Sequence, residues 1–378
     1  MGIRKPVKLS RPVPPCPKRC SSLIIIPVIL IIILGTAGCL SAQSSDRSVN
    51  ASTTRDIPAS PSEIHGSGPV TITQTDGTSV TLPCRPQRII VANGNAAEMM
   101  IAIGAGDRIV GVTASTLNVS YIMDKIPQAE NIGDWQVPNI ERILALHPDV
   151  VIAYASSKPK NLDQFAAANV TILYLDCFRL STLASDARAL GVLTGKTNES
   201  EVYAQMIEKT VAEVKSRAGK IPVQQHPRVY SESYTDLTAS GPGSGSDEML
   251  TLAGGKNIAA DIPASSAKIS AEWVVARQPE YVLKVISSSN QKPFPEIAES
   301  MRTREGWSTI PAVENDRVFL FANDVQYGPR SYIGLVYTAK ILHPELFRDM
   351  NPRQLLDEYA RKYVAGTNIS MPVYPERE

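Results

Sequence analysis

The stretch Glu141-Arg-Ile-Leu-Ala-Leu-His-Pro148-Asp-Val-Val151 returns later in the chain as Glu272-Trp-Val-Val-Ala-Arg-Gln-Pro279-Glu-Tyr-Val282, sharing E-x-[IV]-[LV]-A-x-x-P-[DE]-x-V. In each copy an acidic residue opens a short amphipathic segment, a proline closes it, and an apolar run follows that reads as a buried strand. Each copy therefore marks one α/β lobe, and two similar lobes with a cleft between them suit a binding protein before they suit an enzyme. Either copy alone is compatible with ordinary helix-turn-strand grammar, its glutamate placed at a helix N-terminus by the macrodipole. The same offsets in both halves favour a duplication, although two copies are too few for a solenoid.

The chain has 378 residues. Its first 22 carry Arg4, Lys5, Lys8, Arg11, Lys18 and Arg19 and no acid; an apolar run from Leu23 to Leu34 follows, then Gly35-Thr-Ala-Gly-Cys39. That order is an export signal. The run is short against the ~20 residues of a membrane span, and small residues ending on a cysteine resemble a lipobox, with Cys39 lipidated and residues 1–38 removed. An uncleaved anchor helix over about 23–40 is the other reading, and both tether a domain outside the membrane. Residues 39–68 are rich in Ser, Thr, Ala and Pro and nearly free of large apolar side chains, which reads as a disordered stalk.

Without residues 1–38 the formal charge falls from +1 to about −5, which excludes a basic nucleic-acid surface. Of the five cysteines, Cys84 and Cys177 remain in the folded part. They could pair in an oxidising compartment or stay as two buried thiols, and their spacing decides neither. Sequons at Asn50, Asn118, Asn169, Asn198 and Asn368 matter only where the host glycosylates exported proteins.

Val70 to Leu82 alternates around Asp76-Gly77 and predicts a hairpin. Strand and helix then alternate: strands at Arg88–Ala92, Arg108–Val112, Val150–Tyr154 and Val170–Leu175, with helices between them. From Thr182 to Gly219 no strand signal interrupts two helical segments, and the second, about 199–218, is long enough to cross between lobes. The α/β pattern resumes after Pro222 and ends on a helix over about 331–342. The expected organisation is a first lobe over 69–197, a connecting helix over 198–223, a second lobe over 224–364 and a tail over 365–378.

Two decoys fail on spacing. Gly195-Lys196-Thr197 lacks the glycine a phosphate loop needs upstream, and Gly241-Pro-Gly-Ser-Gly245 places its third glycine too early for a dinucleotide fingerprint. The latter reads instead as a loop that brings backbone amides close to something. No paired histidine spacing for a metal and no nucleophile elbow is present.

From about residue 69 to 364 the chain resembles the class III periplasmic substrate-binding proteins of ABC importers for iron-siderophores, haem and cobalamin. The resemblance rests on Asp76-Gly-Thr-Ser-Val-Thr-Leu-Pro83, Ala105-Gly-Asp-Arg-Ile-Val-Gly-Val112, Asn139-Ile-Glu-Arg-Ile143, Leu252-Ala-Gly-Gly-Lys-Asn-Ile258, Ser270-Ala-Glu272, Gly306-Trp307, Val313-Glu-Asn-Asp-Arg-Val318 and Gly328-Pro-Arg330, in order. It implies an α/β fold of two Rossmann-like lobes joined by one long rigid helix, with the ligand cleft between them. It also implies no catalysis and no cofactor, a monomer, a lipid anchor in the membrane, and a permease dimer with its ATPase as partner. Glu141 and Glu272 match the acids that dock such lobes onto permease arginines, a pairing that steers and registers docking.

Ligands gather at the carboxyl ends of strands in an α/β lobe. A chelate or macrocycle presents flat apolar faces and an anionic rim, which aromatic rings and an arginine complement. Asn95, Trp135, Tyr154, Tyr234, Tyr327 and Arg330 are the expected ligand residues. The ligand is read as an iron chelate, siderophore or haem, or a corrinoid such as cobalamin; a membrane-anchored, chelatase-like enzyme with the same two lobes is the alternative.

Overall fold

Runs of Val and Ile buried on both faces build a parallel sheet. The first lobe has five strands, the central three built this way, in the order Glu130–Asn131, Ile109–Val112, Ile89–Val91, Val150–Ala153 and Ile172–Tyr174, each parallel to its neighbour. This is a computed structural model, which describes residues 68–364 and 372–376. The expected signal sequence, Cys39, the stalk through residue 67 and most of the expected tail lie outside the described residues.

The second sheet has seven strands. Arg228–Glu232, Tyr281–Ile286 and Val318–Ala322 form its parallel centre, with Lys256–Asn257 parallel to the first of them. Thr238–Ser240 and Ser266–Lys268 extend one edge antiparallel, and Val373–Tyr374 pairs antiparallel with Val318–Ala322 on the other. Part of the expected tail is thus an edge strand. The hairpin is present, Val70 facing Leu82 across a turn in which Gly77 takes φ 81°.

The long helix runs Thr197–Ala218, 22 residues or about 33 Å. It buries Ser200, Tyr203, Ala204, Ile207, Thr210, Val214 and Ala218, the 3.6-residue stripe of a helix laid against a core. At its start it folds back on Leu183–Thr194, where a Cβ on Gly191 would lie 1.8 Å from Ser200 Oγ. Only a residue without a side chain permits that approach.

The lobes are not sealed from each other. One hydrophobic core joins Ile89, Val91 and Val150 of the first sheet to Val229, Leu283 and Phe319 of the second through this long helix and Ser331–Leu342. Smaller cores cover the opposite faces, around Ile90, Ile143 and Val151 in one lobe and Tyr230, Trp307 and Val318 in the other. A last helix, Pro352–Tyr363, was not expected from the sequence: Asn351 caps it, proline occupies its first turn, and its Tyr359 reaches back to Glu98 of the first lobe at 2.8 Å. Residues 352–363 therefore pack across the boundary expected for the second lobe. Cys177 is free and fully buried, so the Cys84–Cys177 pairing left open by the sequence does not form.

Candidate functional site

The carboxyl ends of both sheets face a chamber of about 500 Å³ between the lobes. Five rings run along it edge to face. Trp135 meets Tyr154 at 5.6 Å between centroids, Tyr154 meets Phe178 at 6.5 Å, Phe178 meets Tyr327 at 5.9 Å, and Tyr327 meets Tyr234 at 5.8 Å. The first three come from loops after first-lobe strands and the last two from the second lobe, so the row of rings crosses the cleft. Such rings supply large apolar area at low entropic cost, and each tyrosine keeps a polar tip. Burial raises the phenols of Tyr154 and Tyr327 above their ordinary range, so both stay protonated.

Asn95, Trp135, Tyr154, Tyr234 and Tyr327, five of the six residues expected from the sequence to meet ligand, line this chamber. Asn95 Nδ2 donates to the Tyr327 carbonyl across the cleft at 2.8 Å. Tyr234 is 45% exposed and its hydroxyl bonds Asn323. Tyr327 is held through its own hydroxyl, 2.6 Å from Ser246 Oγ. Gly243, Ser244 and Gly245 of the glycine-rich loop also line the chamber, and Ser244 caps the helix Gly245–Leu252.

Arg330 is elsewhere. It is fully buried at the start of Ser331–Leu342, its Nε 2.9 Å from Glu98 Oε1 and an Nη2 2.8 Å from Asp324 Oδ2. Tyr121 and Tyr359 donate to the same Glu98 carboxylate, each at 2.8 Å. A buried cation must be matched by nearby acids, and here the match ties the first lobe to the second. The expectation of Arg330 as a ligand contact is corrected on that ground.

The arginine that does line the chamber is Arg179, missed in the sequence along with Phe178. Both follow Ile172–Tyr174, and the rule that picked out the other strand ends would have found them. Arg179 donates to the Gly243 carbonyl at 3.0 Å and lies 3.4 Å from Asp176. Asp176 also accepts from Ala155 N, Ser156 N and Ser156 Oγ at 2.8–2.9 Å, fixing the loop behind Tyr154. In the second lobe, buried Glu232 with Lys284 and Arg304 holds Asp236, and with it the turn that carries Tyr234.

Among the described residues no group of three or more His, Cys, Asp or Glu is placed to hold a metal ion. The polar remainder of the chamber is mostly serine hydroxyl, including Ser115, Ser156, Ser233, Ser240 and Ser266.

The sequence profile of the periplasmic binding protein family matches residues 89–325. The chain belongs to that family. Among its relatives, an uncharacterized ABC transporter substrate-binding lipoprotein of Bacillus subtilis is 27% identical over 289 residues, covering 74% of this chain and 88% of that protein. A vitamin B12-binding protein of Yersinia pestis is 30% identical over 208 residues, 54% of this chain and 71% of its own. A molybdate periplasmic binding protein of Haemophilus influenzae, solved with molybdate, superposes with TM-score 0.67 at 21% identity over 78% of this chain and 97% of that one. As a periplasmic binding protein the chain binds a solute outside the cytoplasm and does not convert it; the chelatase-like alternative has no support among its relatives.

Glu141 and Glu272 are exposed and line no part of the cleft. Each stands in the first turn of a capped helix, Ile140–Ala145 behind Asn139 and Ala271–Arg277 behind Ser270. Each helix turns directly into a strand of its sheet, so its N-terminus lies at the rim where the strands end. The Ser270 hydroxyl holds Glu272 below the usual carboxylate range.

Proposed function

We propose that this protein captures a corrinoid and delivers it to an ABC permease and its ATPase. The observation that carries the reading is the charge of the aromatic chamber: among the described residues Arg179 is its one lining side chain with a formal charge, and Asp176 already partners it. A haem brings two propionates and a ferric siderophore commonly brings several anionic donors, which such a chamber would leave unpaired at large cost. A corrinoid has a neutral, amide-bearing rim, which serine hydroxyls and backbone groups satisfy, and a flat macrocycle for the rings. A tetrahedral oxyanion would leave most of the volume empty. The vitamin B12-binding relative supports the same choice.

Quenching of intrinsic fluorescence in the purified protein tests it with hydroxocobalamin, haemin and a ferric catecholate. Tightest binding by the corrinoid supports the reading; tighter binding by either anionic chelate overturns it.

Glu141 and Glu272 are proposed as the permease-docking acids, one at the rim of each lobe. Cys39 is proposed as the lipidated N-terminus of the mature protein, supported by its small-residue context and by the lipoprotein relative. Mass spectrometry of the mature chain reads this directly, and recovery of residues 1–38 would refute it.

A further inference from the structure

The cleft does not end at the aromatic chamber. A second chamber of about 450 Å³ opens beside it and shares Gly94, Asn95, Ser115, Tyr154 and Asn323 with the first. Its chemistry differs. Ser120 and Tyr121 stand on the first-lobe side; Ser287, Ser288, Asn290 and Lys292, from the loop after Tyr281–Ile286, stand on the other, with Asp324.

Two of these side chains have bonding capacity left. Asp324 gives Oδ2 to Arg330, but its side chain is 32% exposed and Oδ1 accepts no hydrogen bond among the described residues. Lys292 has no ion-pair partner among the described residues. An occupant therefore finds two unspent groups on the second-lobe wall, first a carboxylate oxygen and second an ammonium, facing the hydroxyls of Ser120 and Tyr121. Hydroxyl donors suit the first and a single anionic group suits the second.

We propose that this second chamber holds a hydroxylated, singly anionic arm of the ligand, of sugar-phosphate type, while the macrocycle occupies the ring-lined chamber. This rests on the corrinoid reading, because a corrinoid with a nucleotide arm carries a flat ring and a ribosyl phosphate in one molecule. The shared wall of Asn95, Ser115 and Tyr154 lets one ligand enter both chambers. Specificity among corrinoids is then set in the second chamber, and gross affinity in the first.

The test compares cobalamin with cobinamide, which lacks the nucleotide arm, by fluorescence titration of the purified protein. The wild type is expected to prefer cobalamin by about tenfold, the factor one charge-assisted hydrogen bond carries. Lys292→Gln removes the ammonium and Ser288→Trp fills the chamber; both positions are exposed and neither side chain is a partner in the Arg330 ion pairs, so the fold is retained. Each variant should bring the ratio toward one while cobinamide affinity stays within about twofold. Equal affinities in the wild type, an unchanged ratio in both variants, or a parallel loss for both ligands overturns the proposal. A wild-type protein that binds neither corrinoid removes the corrinoid reading itself, and this proposal with it.

Discussion

Arg330 spends its charge on Glu98 and Asp324 inside the protein, so its removal should be felt by the empty molecule. Truncating one partner of a buried pair leaves the other charged and unmatched, at a cost of about 3–5 kcal/mol. Arg330→Ala is expected to lower the stability of the ligand-free protein by that amount in chemical denaturation, with cobalamin affinity changed less than about threefold. A tenfold loss of affinity at unchanged stability would restore Arg330 to the cleft. The signal that separates these roles was present in the chain: Glu98 is the one acid in the apolar helix Gly94–Ala102, and a buried acid demands a partner. Sequence alone did not show which of many arginines would supply it.

Asp186 makes a second residue-level test. Burial pushes its carboxyl up to about 6, against the bonds it accepts from Cys177 N and Thr75 Oγ. Between pH 3.8 and about 6 the folded state keeps a proton that the unfolded state releases. Stability from this group is thus full at low pH and is lost as pH rises through about 6, a difference on the order of 2–3 kcal/mol. Asp186→Asn should remove that component, so wild type minus variant stability falls between pH 4 and 7 in urea titrations. An equal difference at both pH values would contradict the assignment.

The two helices that open on Glu141 and Glu272 repeat one piece of sequence, and the fold gives them one geometry: a capped first turn at the rim of a sheet. Glu141→Ala with Glu272→Ala is expected to leave ligand affinity within about twofold while uptake in cells falls by tenfold or more, since steering charges act on a partner and not on the cleft. A matching loss of ligand binding in calorimetry would sink the separation. The same elements explain what could be read in advance. Strands buried on both faces announced themselves as Val and Ile runs, and the long helix showed its stripe. Pro352–Tyr363 escaped because its buried positions are few, Pro352, Leu356 and Tyr359, and its place is fixed by contacts with a helix more than 250 residues earlier. The strand-end rule reaches Phe178 and Arg179 only past three buried residues, Leu175, Asp176 and Cys177, which read as core.

Across the molecule, a single core runs through both lobes, and polar bonds stitch them at Asn95 to Tyr327, Arg179 to Gly243 and Ser331 to Phe178. The cleft is therefore largely pre-formed, which lowers the ordering cost of binding. Its walls come from the ends of strands in both sheets, so the two-lobed architecture was legible while the lining charge that selects the ligand was not. The central claim is that the ring-lined chamber receives a corrinoid macrocycle. A crystal structure of the protein with hydroxocobalamin tests it most directly: the macrocycle should lie between Trp135 and Tyr154 on one side and Tyr234 and Tyr327 on the other, with no protein atom bonded to cobalt through His, Cys or carboxylate. A corrinoid bound outside the cleft, or a cleft that stays empty at saturating ligand, would contradict it.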